Sequence, residues 1–491
     1  LTSAPSSEVL ASRADALLRA GRYAEATDAY RLLLRVDPAR PVAWYNLGYL
    51  LQSARAFDEA LSCYARAVEF GIDGPEEALS NRALILAQHL HRPQEALVEL
   101  EAALQKNPRY LPALVNLGTL HEQLGTRAAA LAAYQAALAI DPYHPLALSR
   151  LPNVATIAAP SDPIVMRLRG ALAREGGTEA DRADLAFALG KALDACGAYD
   201  QAFEAYRSAN EASRRSGEAH QRRGYDRQLA ERFVDDLIGA FPSVAGTVSR
   251  EPEGGPSPIF ICGLFRSGST LVEKILGSHS QVTAGGELDL LPALASKVLQ
   301  PVLSRKGALD DAQVEALREA YRSQLAQRFG VATLVTDKRP DNFLLIGLIK
   351  RMFPEAKIVF TKRDALDNCL SLYFLHLDHS MPYALDLTDS AHWYRQHERL
   401  MAHWQRLYPG DIHTVEYDLL VKDPRPVVAG LLGHLDLPWE ERCLDFHQTS
   451  AMVRTPSNWQ VRQPLYTTSS GRWRHYERHL GPLKAALGGA S

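Results

Sequence analysis

Five short segments of this chain repeat one another: YAEATDAY (23–30), FDEALSCY (57–64), PQEALVEL (93–100), RAAALAAY (127–134) and YDQAFEAY (199–206). Their shared alanines, Ala26, Ala60, Ala96, Ala130 and Ala202, stand 34, 36 and 34 residues apart, followed by a gap of 72 that has room for one degenerate copy. A period near 34 is that of a helix-turn-helix unit, which buries its apolar face only by stacking on the next unit. Upstream of the central three, NLG (46–48), NRA (81–83) and NLG (116–118) recur. Helices are expected to end at DP (37–38, 141–142) and NP (107–108), since proline cannot continue the hydrogen-bond ladder. Small alanines let paired helices approach closely, while tyrosines and leucines fill the groove between neighbours.

These repeats resemble the tetratricopeptide repeat family, which implies an all-α solenoid. Such a solenoid offers a concave surface for a peptide or partner protein. The same residues suit a spacer or an oligomerisation module such as a homodimer contact nearly as well, because no basic or aromatic stripe marks them. Helical character continues through LAERFVDDLIGAF (229–241), and the stretch that follows, PSVAGTVSREPEGGPSP (242–258), is rich in Pro, Gly and Ser. It reads as a linker. The expected organisation is a repeat domain over 1–240, a linker over 241–257 and a second domain over 258–491.

With 491 residues and 46% hydrophobic content the chain has material for more than one core. Its net charge of −3 gives no global attraction to nucleic acid or acidic membranes, so any polyanion site must be built from local arginines and lysines. No apolar run of about 18 residues predicts a membrane span, and no signal-like pattern opens the chain. The expectation is a cytoplasmic enzyme. Cys63, Cys196, Cys262, Cys369 and Cys443 are far apart and mostly in apolar contexts, which suits reduced core thiols. Neither H-E-x-x-H nor C-x-x-C occurs, and no metal site is expected.

The second half opens on PIFICGLFRSGSTLVEKIL (258–276). Ile259 to Cys262 reads as a buried strand, Gly263 to Thr270 as a tight turn and Leu271 to Leu276 as the start of a helix, an order that aims backbone N–H groups at an anion. Against the phosphate-loop pattern G-x-x-x-x-G-K-[ST], Gly263, Gly268 and Thr270 fit, but Ser269 occupies the lysine position. That lysine serves β- and γ-phosphates, so its absence favours a ligand with less charge beyond the first phosphate. Arg266 supplies positive charge within the loop instead.

Three further strand ends, and a fourth near the C-terminus, carry polar residues where open parallel sheets bind ligands. QVTAGGELDLL (281–291) presents Glu287, TLVTDKRPDNF (333–343) ends a strand at Lys338, AKIVFTKRDALDNCLSLYF (356–374) delivers Arg363 and then Ser371 on a helix, and IHTVEYDLLVKDP (412–424) puts Tyr417 past a short strand. Strand and helix alternate, which predicts an α/β domain with a mainly parallel sheet. Taken singly, each residue has an ordinary reading as a solvent-facing carboxylate, a surface ion pair or a helix hydroxyl. Two cations, a carboxylate and an anion loop at neighbouring strand ends are less easily explained that way.

The motifs FRSGSTL, GGEL, TDKRPDNF, FPEAKIVFTKRDALDNCLSLYF and the tail YTTSSGRWRHYE (466–477), taken in order, are similar to bacterial repeat-containing sulfotransferases and more distantly to protein-tyrosine sulfotransferases. The resemblance spans roughly 256–484. It implies a P-loop-like fold and a donor, 3′-phosphoadenosine 5′-phosphosulfate, with one 5′-phosphate followed by a sulfate. By position, Arg266, Ser267, Gly268, Ser269 and Thr270 would cradle the 5′-phosphosulfate, Arg363 and Ser371 would hold the 3′-phosphate, and Tyr417 would join the donor site. Ser469, Arg472 and Trp473 would belong to a donor-covering loop. The resemblance further implies Glu287 as general base, Lys338 with Arg266 as cations for the leaving oxygen, and no metal. Phe265 stands where the family usually has proline, Ser269 where it often has threonine, and Ala365 where proline often follows RD; none removes a ligand group. The acceptor is a hydroxyl, either tyrosine in a peptide or protein or a small phenolic, saccharide or lipid group. Arg454, Arg462, Arg472, Arg474 and Arg478 form a strip suited to acidic residues around a tyrosine or to the donor's phosphates. A repeat scaffold with a non-catalytic nucleotide fold is the alternative from another class.

Overall fold

The computed structural model describes residues 6–90, 92–244, 255–304, 309–330, 332–377, 381–446 and 468–488. The chain divides into two compact units, Leu1–Thr156 and Ile157–Ser491. Of the linker expected at 241–257, residues 245–254 lie outside the described residues.

The first unit is built of helices from Ser7–Arg19 to Pro145–Val154. Each repeat alanine in it, Ala26, Ala60, Ala96 and Ala130, is fully buried, as close approach of paired helices demands. The matching tyrosines Tyr30, Tyr64 and Tyr134 are equally buried. Burial raises all three phenols above their ordinary range, so they act as neutral donors. Each finds an acceptor: Tyr30 donates to Asp15 at 2.5 Å, Tyr64 to Gln52 at 2.9 Å and Tyr134 to Glu122 at 3.0 Å. A buried hydroxyl left unpaired would cost about 1–3 kcal/mol, so these acceptors are what permits a tyrosine at the repeat's core position.

The second unit begins inside the helical region. Ala202 belongs to the helix Tyr199–Ala219, which packs with Glu179–Ala195 as a repeat pair of this unit, not of the first. Tyr206 stacks on Phe374 at 4.0 Å, Phe203 stacks on His479 at 4.3 Å, and Asn210 donates to the Tyr373 carbonyl at 2.8 Å. The following helix, Arg227–Ala240, is tied to the helix Leu387–Leu407 by Arg227–Asp389 at 2.7 Å. At its end Phe241 packs against Gly347, and its carbonyl lies 2.9 Å from His403 Nε2.

The sheet is five-stranded and wholly parallel: β1 Ser257–Gly263, β2 Val282–Thr283, β3 Leu334–Lys338, β4 Ile358–Lys362 and β5 Ile412–Glu416, in the order β2-β3-β1-β4-β5. β1 is central and buried from Ile259 onward, which is why its residues form a continuous apolar run. The chain leaves β1 for one side of the sheet and crosses to the other between β3 and β4, so the end of β1 is the topological switch point. Among the described residues no helix is long and apolar enough to cross a membrane.

Because Phe203, Tyr206 and Phe241 are packed into the second unit, residues 157–491 alone should unfold cooperatively. A chain starting at 242, which lacks all three rings, should expose the surface they cover and show no cooperative transition; calorimetric scans of both fragments check the difference.

Candidate active site

β1 ends at Gly263, and the loop that follows turns into the helix Ser269–Gly277. Arg266 has φ 71°, a left-handed conformation uncommon for a side chain with a Cβ and typical of strained functional loops. Gly268 is the helix N-cap at φ 102°, and a Cβ there would lie 2.6 Å from the Tyr417 ring, so glycine is required twice over. With no capping side chain, the first-turn N–H groups at Ser269 and Thr270 have no intrahelical acceptor and point beyond the helix start.

Ser267 is used differently from its neighbours. Its hydroxyl donates to the Leu264 carbonyl at 2.6 Å and lies 2.7 Å from Thr361 Oγ1, which donates to the Cys262 carbonyl at 3.0 Å. The hydroxyl expected to face a ligand therefore fastens the loop to β4. Ser269 is also buried, and Thr270 is half-buried.

On the β4 side, Arg266 Nε donates to Ser371 Oγ at 3.0 Å. The Arg363 guanidinium donates to the Arg266 carbonyl at 3.3 Å and to the Ser469 carbonyl at 2.5 Å, and lies 4.9 Å over the Tyr417 ring. Tyr417 and Ser469 join through their hydroxyls at 2.6 Å. Arg266, Arg363, Ser371, Tyr417 and Ser469 are thus brought together at the ends of β1, β4 and β5. Arg363 is buried, and its Nε has no hydrogen-bond partner among the described residues. A buried guanidinium donor without an acceptor suits an anion.

On the β3 side, Lys338 Nζ contacts Glu287 Oε1 at 2.5 Å, with the lysine side chain 1% exposed and the glutamate 42%. The ammonium is presented from the core and the carboxylate from the surface. Behind them lies Asp337, fully buried, bonded by Tyr321 at 2.8 Å and Asn342 at 3.2 Å; burial pushes its carboxyl up to about 6 against those bonds. Arg339 pairs with Asp289 and Asp341, both at 3.1 Å.

The tail is held by a residue that the motif reading did not single out. Asp367 accepts the Gly471 N–H at 2.5 Å and the Trp473 N–H at 2.8 Å, while burial raises its carboxyl against those bonds. Its spacing from the N-cap Asp364 resembles an ordinary helix start, so nothing in the sequence distinguished it. Asn368, donating to the Phe265 carbonyl at 3.1 Å, escaped notice for the same reason. Arg472 and Trp473 make other contacts. The Arg472 guanidinium pairs with Asp194 at 2.5 Å, and the Trp473 ring lies between Arg474 and Lys484. Within the arginine strip, Arg454 and Arg462 lie outside the described residues, and Arg478 is paired with Asp200.

Family models match both parts of the chain. Residues 258–441 match the Sulfotransferase family, and residues 12–75 and 81–145 match the Tetratricopeptide repeat. An uncharacterized protein of Aquifex aeolicus (strain VF5) is 33% identical over 316 residues, which are 62% of this chain and 41% of that protein. Protein-tyrosine sulfotransferase 1 of Danio rerio is 27% identical over 202 residues, 38% of this chain and 55% of its own length. The chain therefore spans about half the length of these two relatives. A solved sulfotransferase domain from the Synechococcus PCC 7002 olefin synthase aligns at 21% identity over 46% of this chain and 91% of its own, with a TM-score of 0.35.

Hydrogen bonds to a charged acceptor are worth about 1.5–3 kcal/mol each. Replacing Asp367 with Ala should therefore raise amide exchange at Gly471 and Trp473 by about tenfold or more, leaving sheet amides unchanged. Equal exchange in both proteins would show that the tail is held by other contacts.

Proposed function

We propose that this chain, which carries a sulfotransferase-family domain behind tetratricopeptide repeats, transfers a sulfuryl group from 3′-phosphoadenosine 5′-phosphosulfate to an acceptor hydroxyl, tyrosine in a peptide or protein. The observation that carries this reading is the pair of polar clusters flanking the β1 loop. A carboxylate-ammonium contact stands on one side, and a buried arginine with an unpartnered donor stands on the other. The relative named protein-tyrosine sulfotransferase supports tyrosine as the acceptor.

The donor fits the residues present. Loop N–H groups at Arg266, Gly268, Ser269 and Thr270 and the Arg266 guanidinium would hold its 5′-phosphosulfate, and Arg363 with Ser371 would hold its 3′-phosphate; the Ser267 N–H is taken by the Leu264 carbonyl at 3.1 Å. When bound, the donor supplies an activated sulfuryl group on a phosphate leaving oxygen. Absence of the phosphate-loop lysine is consistent with that ligand, which has no β,γ pair.

Glu287, partly exposed, would accept the acceptor's proton. A phenol with a pKa of about 10 is mostly un-ionised at neutral pH and needs such a base. Lys338 and Arg266 stabilise negative charge on the leaving oxygen in a site walled by the buried ends of β1 and β3. Arg363 orients rather than reacts. Tyr417 keeps its guanidinium in place by lying under it, and Ser469 does so by accepting one of its N–H groups. The repeats offer a surface for the macromolecular acceptor.

Transfer of labelled sulfate from the donor to an acidic tyrosine peptide tests the proposal. Wild-type protein should label the peptide, Glu287→Ala should lose about 10²–10⁴ in kcat while still binding donor, and Arg363→Ala should bind donor about 10–100-fold more weakly. Near-normal turnover by Glu287→Ala would remove the base assignment. Labelling of simple phenols or sugars, but not of the peptide, would remove tyrosine as acceptor.

A further inference from the structure

The reading above gives no role to Glu273, a buried carboxylate at the β3 end. Glu273 lies on the helix that follows the β1 loop and is buried to 7% exposure, and burial raises its carboxyl above the usual range. A glutamate in such a place is expected to have a reason. Its Oε1 accepts the Gly286 N–H at 2.9 Å and the Thr336 hydroxyl at 2.8 Å. The Thr336 hydroxyl in turn accepts the Gly285 N–H at 3.0 Å, which fixes its own proton toward Glu273. The Lys338 N–H donates to the Gly286 carbonyl at 3.0 Å. These bonds bind the Gly285–Gly286 turn to β3 and to the loop helix at once. The turn approaches so closely that a Cβ on Gly285 would lie 2.1 Å from the Thr336 carbonyl oxygen.

We infer that Glu273 is a positioning residue for the transfer step, holding through the Gly286 N–H and Thr336 the turn that delivers Glu287 to Lys338. The inference rests on the proposed roles of Glu287 and Lys338. Glu287 is the next residue after the turn, and Lys338 is two residues beyond Thr336, so one carboxylate oxygen sets the origin of both groups. It also fastens them to the helix whose N-terminus faces the donor. Both donors to Oε1 keep their direction whether or not the carboxyl is ionised, so the role belongs to the acceptor oxygen and not to the charge. Glutamine, with the same oxygen and shape, is predicted to replace it.

Three full-length variants test this: Glu273→Gln, Glu273→Ala and the isosteric Thr336→Val. Amide exchange of residues 284–288 is measured beside kcat, KM and binding of 3′,5′-adenosine bisphosphate. Glu273→Ala and Thr336→Val should speed exchange at Gly285 and Gly286 and lower kcat by about a hundredfold, the usual cost of displacing a reacting group by about 1 Å, with bisphosphate affinity unchanged. Glu273→Gln should keep wild-type exchange and most of kcat. If Glu273→Ala fails to fold, the two isosteric variants decide. Loss in Glu273→Gln equal to that in Glu273→Ala, or wild-type exchange and kcat in Thr336→Val, overturns the inference. Exchange is read without turnover, so a protein that transfers no sulfate would refute the proposed function while the turn's dependence on Glu273 is still decided.

Discussion

Everything at the candidate site depends on β1 being paired in parallel on both sides. β3 and β4 run beside it in register, with Ile261 opposite Lys338 and Gly263 opposite Thr361. Three strand ends therefore open at one edge of the sheet, and the loop leaving β1 lies between the residues leaving the other two. Without that pairing, Lys338 and Arg363 would be unrelated charges, 25 positions apart in the sequence. With it, a cation at the end of β3 and a cation just after β4 flank a loop that ends in the unpaired first-turn N–H groups of Ser269 and Thr270.

Rigidity in this edge comes from buried side chains that bond one another and the backbone. Ser267 and Thr361 tie the loop to β4, Glu273 and Thr336 tie the Gly285–Gly286 turn to β3, and Asp367 ties the tail to the helix after β4. Each is buried, so each bond lies in a low-dielectric setting where an unpaired partner is costly. The groups proposed to meet the ligand, by contrast, include less restrained ones: Glu287 is nearly half exposed, and Arg363 Nε has no partner among the described residues.

Much of this was legible in the sequence because it rests on local pattern. The repeat alanines predicted close helix packing, and all five prove fully buried. The apolar run of β1 and the polar residues closing the other strands predicted a parallel sheet with its site at one edge. What escaped depends on long-range contacts. Helices of the last repeat pair look like their predecessors in sequence, yet Tyr206 and Phe203 pack on Phe374 and His479, residues far along the chain. The bond between Ser267 and Thr361 joins residues far apart in the chain and is not announced by the loop motif. The pairing of Arg472 with Asp194, from the helical region, is likewise a contact no local pattern announces.

The most direct test of the account is whether the β1 loop and Arg363 together select a 3′-phosphorylated adenosine nucleotide. Calorimetric titration of the intact chain with 3′,5′-adenosine bisphosphate, beside ATP with magnesium, measures this. The account predicts tight binding of the bisphosphate and none of ATP. Preference for ATP would point to phosphoryl chemistry, and binding of neither would leave the fold a scaffold; either result would contradict it.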